Sequence, residues 1–489
     1  MVNMLPSTFV EQFDTQVKND CAPVSVTLSH SNYEIKFDDD CAPVTAAPIS
    51  SPTETTTPMR LAPQLHLDSL PHRYTLAISP YSPAGPVVLN PPAMARLQQF
   101  SQPQPLEQAV DFTLAAANIL LPVDREPQIE AAPLATLTAW LHVTNACNLD
   151  CPYCYVRKSN QKMSAETGQQ VVDSIFRSAL KNGFQSINLK YAGGEAALHF
   201  EMVRQLHSYA QQSACRHNLD LQAVVLSNGT IWTPPMADWL VENSVKLMIS
   251  LDGVGAAHNR LRPTRGGKGS FAAIERTVDT VLLPRGVQPD ISITVTGRNA
   301  TAAAGAVEWA IARNLPFSLN FYRENANSKK FGDLQLEEAH IIAGLRQAYQ
   351  VVEKHLPTRP FINGLLDRVQ MGAHQHTCGA GQNYLVFSHT GAVVQCQMHL
   401  AQSIPFSTGD DPLDIIKNGV IPLISVEEKE GCRTCPWRFR CSGGCPIETY
   451  RGTGRFDVKS PHCNIYKTLL PQALRLEGLR LMKVGGVLD

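Results

Sequence analysis

Residues 141–155, LHVTNACNLDCPYCY, run as an apolar strand into Cys147, Cys151 and Cys154, spaced C-x3-C-x2-C. Three thiolates this close together, opening a loop at a strand end, can each ligate one iron of a 4Fe-4S cluster and leave the fourth iron without a protein ligand. A zinc knuckle or three ordinary buried thiols are the competing readings. The sequence downstream decides between them.

Residues 135–345 alternate strand-like runs (TAWLHVT, SINLKYAG, LQAVVLSNG, VKLMISLDG, DISITVTG, FSLNFY) with helical patterns. That rhythm predicts an α/β fold of parallel strands with right-handed crossovers, an open or partial (β/α) barrel. In such barrels the chemistry sits at the C-terminal strand ends, and the polar motifs lie there. YAGGEAAL supplies Gly193, Gly194 and Glu195, whose glycines let backbone approach a ligand and whose carboxylate can accept from an ammonium group. LSNGT supplies Ser227 and Asn228, and ISLDG supplies Ser250 and Asp252. Short polar side chains at strand ends suit ribose hydroxyls and a carboxylate, and they also suit plain turns.

In this order, with the aromatic Tyr153 before the last cysteine, these motifs resemble the radical S-adenosylmethionine (radical SAM) superfamily. The resemblance implies a partial (β/α)6 radical SAM barrel and a 4Fe-4S cluster on Cys147, Cys151 and Cys154 whose open iron takes the amino and carboxyl groups of SAM. It implies reductive cleavage of SAM to methionine and a 5'-deoxyadenosyl radical. By the same resemblance Gly193, Gly194 and Glu195 hold the methionine amine, while Tyr153, Ser227, Asn228, Ser250 and Asp252 contact SAM. Arg262, in GVGAAHNRLRPTRGGKGSF, is the candidate for the SAM carboxylate, because a guanidinium matches that group with two hydrogen bonds. Two positions depart from the pattern: Ala196 replaces a usual proline, and Asn259 replaces a usual aspartate. Asn299 is expected to face the adenine; Tyr322, Arg323 and Glu324 end the last strand, facing either the substrate or solvent.

A second cysteine group follows a bridge at 346–377, where AYQVVEKHL and FINGLLDRVQMG read as helices separated by PTRP. Cys378, Gly391 and Cys396 form C-x12-G-x4-C, and Cys432, Cys435, Cys441, Cys445 and Cys463 form C-x2-C-x5-C-x3-C-x17-C. A zinc ribbon is one reading. The full pattern resembles the SPASM domain of radical SAM peptide maturases, which implies two auxiliary Fe-S clusters over residues 378–470, before a C-terminal helix or tail at 471–489. Carried across, the resemblance gives one cluster to Cys432, Cys435, Cys441 and Cys463, and the other to Cys378, Cys396 and Cys445. Gly372 stands where some relatives have an eighth cysteine, so the latter cluster has an open iron, fewer irons, or a fourth ligand such as His374, His376, Cys21 or Cys41. In related anaerobic sulfatase-maturating enzymes, an aspartate follows the cysteine matching Cys396. Here Gln397 does, and an amide takes no proton at neutral pH. Formylglycine formation is thereby disfavoured, and His399 is the candidate substitute base.

The chain has 489 residues, enough for about three domains, and a formal net charge of -1 that favours no nucleic-acid partner. No apolar run proposes a membrane span or signal peptide, which places the protein in the cytoplasm. Its 13 cysteines there read as metal ligands before disulfides, since ten fall in two groups. Residues 1–58 are rich in Pro, Thr, Ser and Asp and read as a disordered tail, with NDCAPVS and DDCAPVT repeating around Cys21 and Cys41. Residues 59–121 read as two strands followed by two helices, a winged-helix-like unit. VVLNPPAMARLQQFSQPQPLEQAV resembles leader-peptide-binding domains, which implies binding of an extended peptide along a sheet edge.

The expected function is crosslinking (C-C, C-O or thioether) in a ribosomal precursor peptide, with electrons from a flavodoxin or ferredoxin-type reductant. Two other readings stand beside it: a maturase of a folded protein, of thioether or formylglycine type, and an Fe-S electron carrier that does not cleave SAM.

Overall fold

A computed structural model describes residues 57–488, apart from 84, 130–133, 406 and 408. The tail bearing Cys21 and Cys41 lies outside the described residues. The N-terminal unit comprises β1 (Met59–Leu61), β2 (His66–Ser69), β3 (Thr75–Ile78), β4 (Val87–Leu89), α1 (Pro91–Gln99), α2 (Ala109–Ala116) and β5 (Leu120–Pro122). Asn90 starts α1 by accepting from the Ala93 N–H at 2.9 Å, and prolines fill a first turn that needs no N–H donor. Buried Arg96 of α1 grips Asp111 of α2 through two hydrogen bonds of 2.9 and 2.6 Å, pinning the helices together. β2, β3 and β4 form an antiparallel sheet in that order, while β1 pairs with β5 and closes the unit. RYTLAISPY supplies β3 and PVVLN supplies β4; β1, β2 and β5 add to the two strands expected.

The alternating region gives β6 (Thr136–Thr144), α3 (Ala165–Lys181), β7 (Ser186–Gly193), α4 (Phe200–His217), β8 (Asp220–Ser227), α5 (Pro234–Glu242) and β9 (Lys246–Ser250). It continues with α6 (Ala256–Leu261), α7 (Phe271–Arg276), β10 (Asp290–Val295), α8 (Ala303–Ala312), β11 (Phe317–Phe321) and α9 (Glu338–His355). The strands pair in parallel, in the order β11-β10-β9-β8-β7-β6. All of β6 is buried, as a parallel sheet covered on both faces requires. α3 shows how the helices cover it: Ser164 caps the Thr167 N–H at 3.1 Å, and Val171, Val172, Ile175, Phe176 and Ala179 share one buried face.

The cysteine-rich region is not a separate bead. Its first strand, β12 (Tyr384–Phe387), pairs in parallel with the outer side of β6, from Tyr384 opposite Thr138 to Phe387 opposite Leu141. β13 (Val393–Val394) then closes the edge antiparallel, followed by α10 (Pro412–Lys417), α11 (Arg438–Cys441), α12 (Pro446–Thr453) and α13 (Cys463–Val484). Two expectations are corrected here. α13 begins at Cys463 and runs through Pro471, so the expected boundary at 470/471 falls inside one helix. FINGLLDRVQMG is not a helix but an irregular segment with one 3-10 turn at Ile362–Gly364. Its polar residues turn inward instead: Asp367 accepts from both the Arg323 guanidinium and the Phe321 N–H, and Arg368 adopts a left-handed φ of 59°.

The N-terminal unit is clamped to this region by Arg440 of α11, a fully buried guanidinium. It donates to the carbonyls of Ser82 at 3.0 Å, Ser79 at 2.7 Å and Met371. Burial draws its pKa down to about 9, since the partners are carbonyls and no carboxylate pairs with it among the described residues. α13 adds an apolar seam, where Gly478 leaves room for Leu70 and Leu76. Removing a guanidinium leaves buried acceptors unpaired, at about 1–3 kcal/mol each. Arg440→Leu is therefore expected to lower the unfolding free energy by roughly 3 kcal/mol, read as a lower urea midpoint; an unchanged midpoint would show that this clamp does not hold the unit.

Candidate active site

The C-terminal strand ends enclose a cavity of about 250 Å³. Cys147, Cys151 and Cys154 line it from the loop after β6, and Cys378, Cys396 and Cys445 line it from the cysteine-rich region. Lys158, Arg262, Arg323 and Arg368 also line it, against one carboxylate, Glu195. A wall with four cations and six thiols suits anionic, thiolate-ligated clusters and a ligand carboxylate.

The loop bearing the first three cysteines is pressed against the end of β7. A Cβ on Gly193 would lie 2.4 Å from the Thr144 carbonyl oxygen, and one on Gly194 would lie 2.4 Å from that of Ala146. These glycines thus serve the approach of two backbone segments to one another. Glu195 follows, 1% exposed, accepting from the Ala197 N–H at 3.0 Å, the Ser227 hydroxyl at 2.8 Å and the Asn228 N–H at 2.6 Å. Burial raises its pKa against the pull of these donors. The Asn228 amide donates to Asn148 Oδ1 at 2.8 Å and comes within 3.9 Å of the Cys147 sulfur, joining the β8 end to the cysteine loop.

Gly193, Gly194, Glu195, Ser227, Asn228, Ser250, Arg262 and Tyr153 all line the cavity; Asp252 and Asn299 do not. Asp252 is fully buried and accepts from Arg262 Nε at 2.7 Å, the Thr294 N–H at 2.8 Å and the Tyr153 hydroxyl. Its place is behind Arg262 and Tyr153, which it aims. Burial works against the Arg262 cation, but Asp252, Tyr153 and Cys151 together outweigh it and hold the pKa above its ordinary value. Asn299 spends its amide on the carbonyls of Asp252 and Thr294 at 2.8 and 2.9 Å. Asn259 accepts from the Ser270 and Phe271 N–H groups at 2.9 Å each, work an amide does without the charge of an aspartate.

Burial pushes the Cys151 thiol up to about 12 and raises Cys147, so their thiolates need a positive partner to persist. Cys432, Cys435, Cys441 and Cys463 form a second cluster of thiols: Cys441 senses the charges of the other three, and Cys432 those of Cys463 and Cys435. Burial pushes Cys432 up to about 11 and Cys441 to about 12. Among the described residues no three His, Cys, Asp or Glu side chains converge on a point where one metal ion would sit. Thiolates are the donors an Fe-S cluster takes, each meeting its own iron.

His399 is half-buried and does not line the cavity; no histidine does among the described residues. Gln397 does, its Oε1 accepting from the Tyr384 hydroxyl at 3.1 Å. Tyr322 and Arg323 line the cavity and Glu324 does not. His374 donates from Nδ1 to the Gly372 carbonyl at 2.9 Å, and burial, with the Arg440 charge adding to it, lowers its pKa. The sequence reading missed Lys158 and Arg368, which belong to no motif. Proximity to the cysteines was the only signal for Lys158, and Arg368 had none.

Residues 141–282 match the family model for the radical SAM superfamily. The cysteine-type anaerobic sulfatase-maturating enzyme of Clostridium perfringens is 22% identical over 62% of this chain and 86% of that protein. The sporulation killing factor maturation protein SkfB of Bacillus subtilis is 27% identical over 35% of this chain and 39% of that protein. A solved structure of native anSMEcpe with bound AdoMet and Cp18Cys peptide superposes with a TM-score of 0.58 at 20% identity, covering 72% of this chain and 99% of that one. That likeness concerns the fold. The chain carries a radical SAM domain, has maturation enzymes among its relatives, and is an enzyme.

Proposed function

We propose that this enzyme matures a ribosomally made precursor peptide by taking a hydrogen atom from an unactivated side-chain carbon and joining that carbon to a second side chain. The observation that carries this reading is one cavity onto which both the Cys147 and the Cys378 sets of thiols open. When bound, SAM and its cluster supply a 5'-deoxyadenosyl radical as hydrogen-atom acceptor, and two auxiliary clusters, on Cys378, Cys396 and Cys445 and on Cys432, Cys435, Cys441 and Cys463, supply a sink for the remaining electron. The chain's own residues place and shield the reactants. Glu195 and the β7 end face the SAM amine, and Arg262, aimed by Asp252, faces its carboxylate. Tyr322, Arg323 and Met398 face the substrate side. Reductant and substrate are read as a flavodoxin or ferredoxin-type protein and a peptide with a leader segment.

The leader has a place on the N-terminal unit. β2 is an edge of its three-stranded sheet, with alternating partial exposure and Leu67 at 43%, whereas the other edge, β4, is buried throughout. An extended peptide would add there as a fourth strand. The relatives that are maturation enzymes support a peptide or protein substrate. Formylglycine chemistry is less well supported, because Gln397 stands at the expected base and the cavity's carboxylate is engaged by three donors.

Three outcomes test this. The enzyme reconstituted without oxygen, given SAM, a strong reductant and its precursor peptide, is expected to release 5'-deoxyadenosine in step with loss of two hydrogen atoms from the peptide; deoxyadenosine with an unaltered peptide mass would move the search to a protein substrate. Asp252→Asn should loosen Arg262 and weaken SAM binding about tenfold, or ~1.4 kcal/mol, by equilibrium dialysis; unchanged affinity would separate Arg262 from the SAM carboxylate. Leu67→Asp should weaken leader-peptide binding about tenfold by fluorescence anisotropy while deoxyadenosine formation without peptide is retained. Equal peptide affinity would remove the β2 edge from substrate binding.

A further inference from the structure

Lys429 is a cation 4% exposed, lodged between the two groups of cysteines of the C-terminal region. Its stem crosses Gly443, where a Cβ would lie 2.7 Å from Lys429 Cδ and 2.9 Å from Nζ. Its ammonium donates to the Ser442 carbonyl at 3.1 Å, in the loop joining Cys441 to Cys445. It also lines a small cavity with His376, Cys378 and Pro446. No carboxylate forms an ion pair with it among the described residues. A buried ammonium without an anion is costly, so its counter-charge has to be sought among its neighbours. The groups whose charge it senses favourably are Cys432 and Cys441 on one side and Cys378 and Cys445 on the other. Burial lowers its pKa, and those four sulfurs act in the opposite sense. The other charged or titratable neighbours are His376, which senses the Lys429 cation, and Glu428 beside it.

We propose that Lys429 is the shared counter-cation of the two auxiliary clusters, a positioning residue whose fixed charge raises the reduction potentials of both. The inference rests on the two-cluster reading above. A positive charge held between two anionic centres in a low-dielectric setting favours the more negative, reduced form of each. Because its ammonium is bound to the loop that joins the two ligand sets, one side chain acts on the pair. Lys429 does not line the cavity that Cys147, Cys151 and Cys154 line, and that site should be unaffected.

The test uses full-length enzyme, reconstituted without oxygen, as wild type, Lys429→Gln, Lys429→Met and Lys429→Arg. Iron and sulfide per chain are measured first, then cluster potentials by EPR-monitored redox titration without SAM. Gln keeps a donor for the Ser442 carbonyl but no charge; Met keeps neither; Arg keeps the charge. The expected result is wild-type iron content in Gln and Arg, a shift of both auxiliary potentials to lower values in Gln, and potentials near wild type in Arg. Full iron content with unmoved auxiliary potentials in Gln would overturn the inference, as would a shift confined to the SAM-site cluster. Iron loss in Met, with Gln retaining both its iron and its potentials, would reduce Lys429 to a hydrogen-bond donor and likewise overturn it. Wild-type iron amounting to two clusters per chain or fewer, the SAM-site cluster included, would instead overturn the reading of two auxiliary clusters, so the two failures are distinguishable.

Discussion

The pairing of β12 with β6 is the constraint on which the rest of the site depends. β6 delivers Cys147, Cys151 and Cys154 at its C-terminal end. β12 lies beside it in the same direction, with Cys378 shortly before it and Cys396 after the following strand. Backbone hydrogen bonds fix that register. A one-residue slip would turn every side chain of β12 to the opposite face. Because Tyr384, Leu385, Val386 and Phe387 are all buried, such a slip would break packing on both sides. The two cysteine sets thus face one cavity as a consequence of sheet geometry, without a flexible hinge between them.

The same economy governs the polar residues around the cavity. Asp252 aims two cavity residues, Tyr153 and Arg262, from behind. Asp367 does the same for Arg323 from the irregular bridge, at 2.8 Å. Both carboxylates are buried and each meets a guanidinium, an arrangement in which removing either partner would strand a charge. Their value lies in orientation, since a guanidinium held by one carboxylate can still present its remaining N–H groups in a fixed plane.

The elements legible in the sequence were those with long periodic runs or rigid spacing. The six strand-helix repeats and the ten clustered cysteines were of this kind. What escaped was decided by partners distant in the chain. β1, β2 and β5 are three or four residues long and carry too little alternation to be read alone. YLVF reads as any short apolar run until β6 is beside it. FINGLLDRVQMG has helical spacing, but Asp367 and Arg323 meet only in the folded chain, and that pairing outweighs local preference. Asp252 was recognised as important from its position, while its direction, away from the cavity, followed from Thr294, Tyr153 and Arg262 around it.

A cavity that hosts a primary carbon radical must also protect its own walls, because such a radical takes hydrogen from whatever lies nearest. Phenolic O–H groups are among the easiest targets a protein offers. Here the Tyr153 hydroxyl is tied to Asp252, and that of Tyr322 donates to Ser328 at 2.7 Å. Tyr384, which packs behind the cavity, donates its own to Gln397. Two of the three tyrosines that line the cavity, Tyr153 and Tyr322, therefore keep the labile hydrogen in a bond directed elsewhere. On this view the buried polar residues behind the wall have a second task besides aiming Arg262: Asp252 and Ser328 engage the hydroxyls of Tyr153 and Tyr322, the most easily abstracted hydrogens of those two side chains.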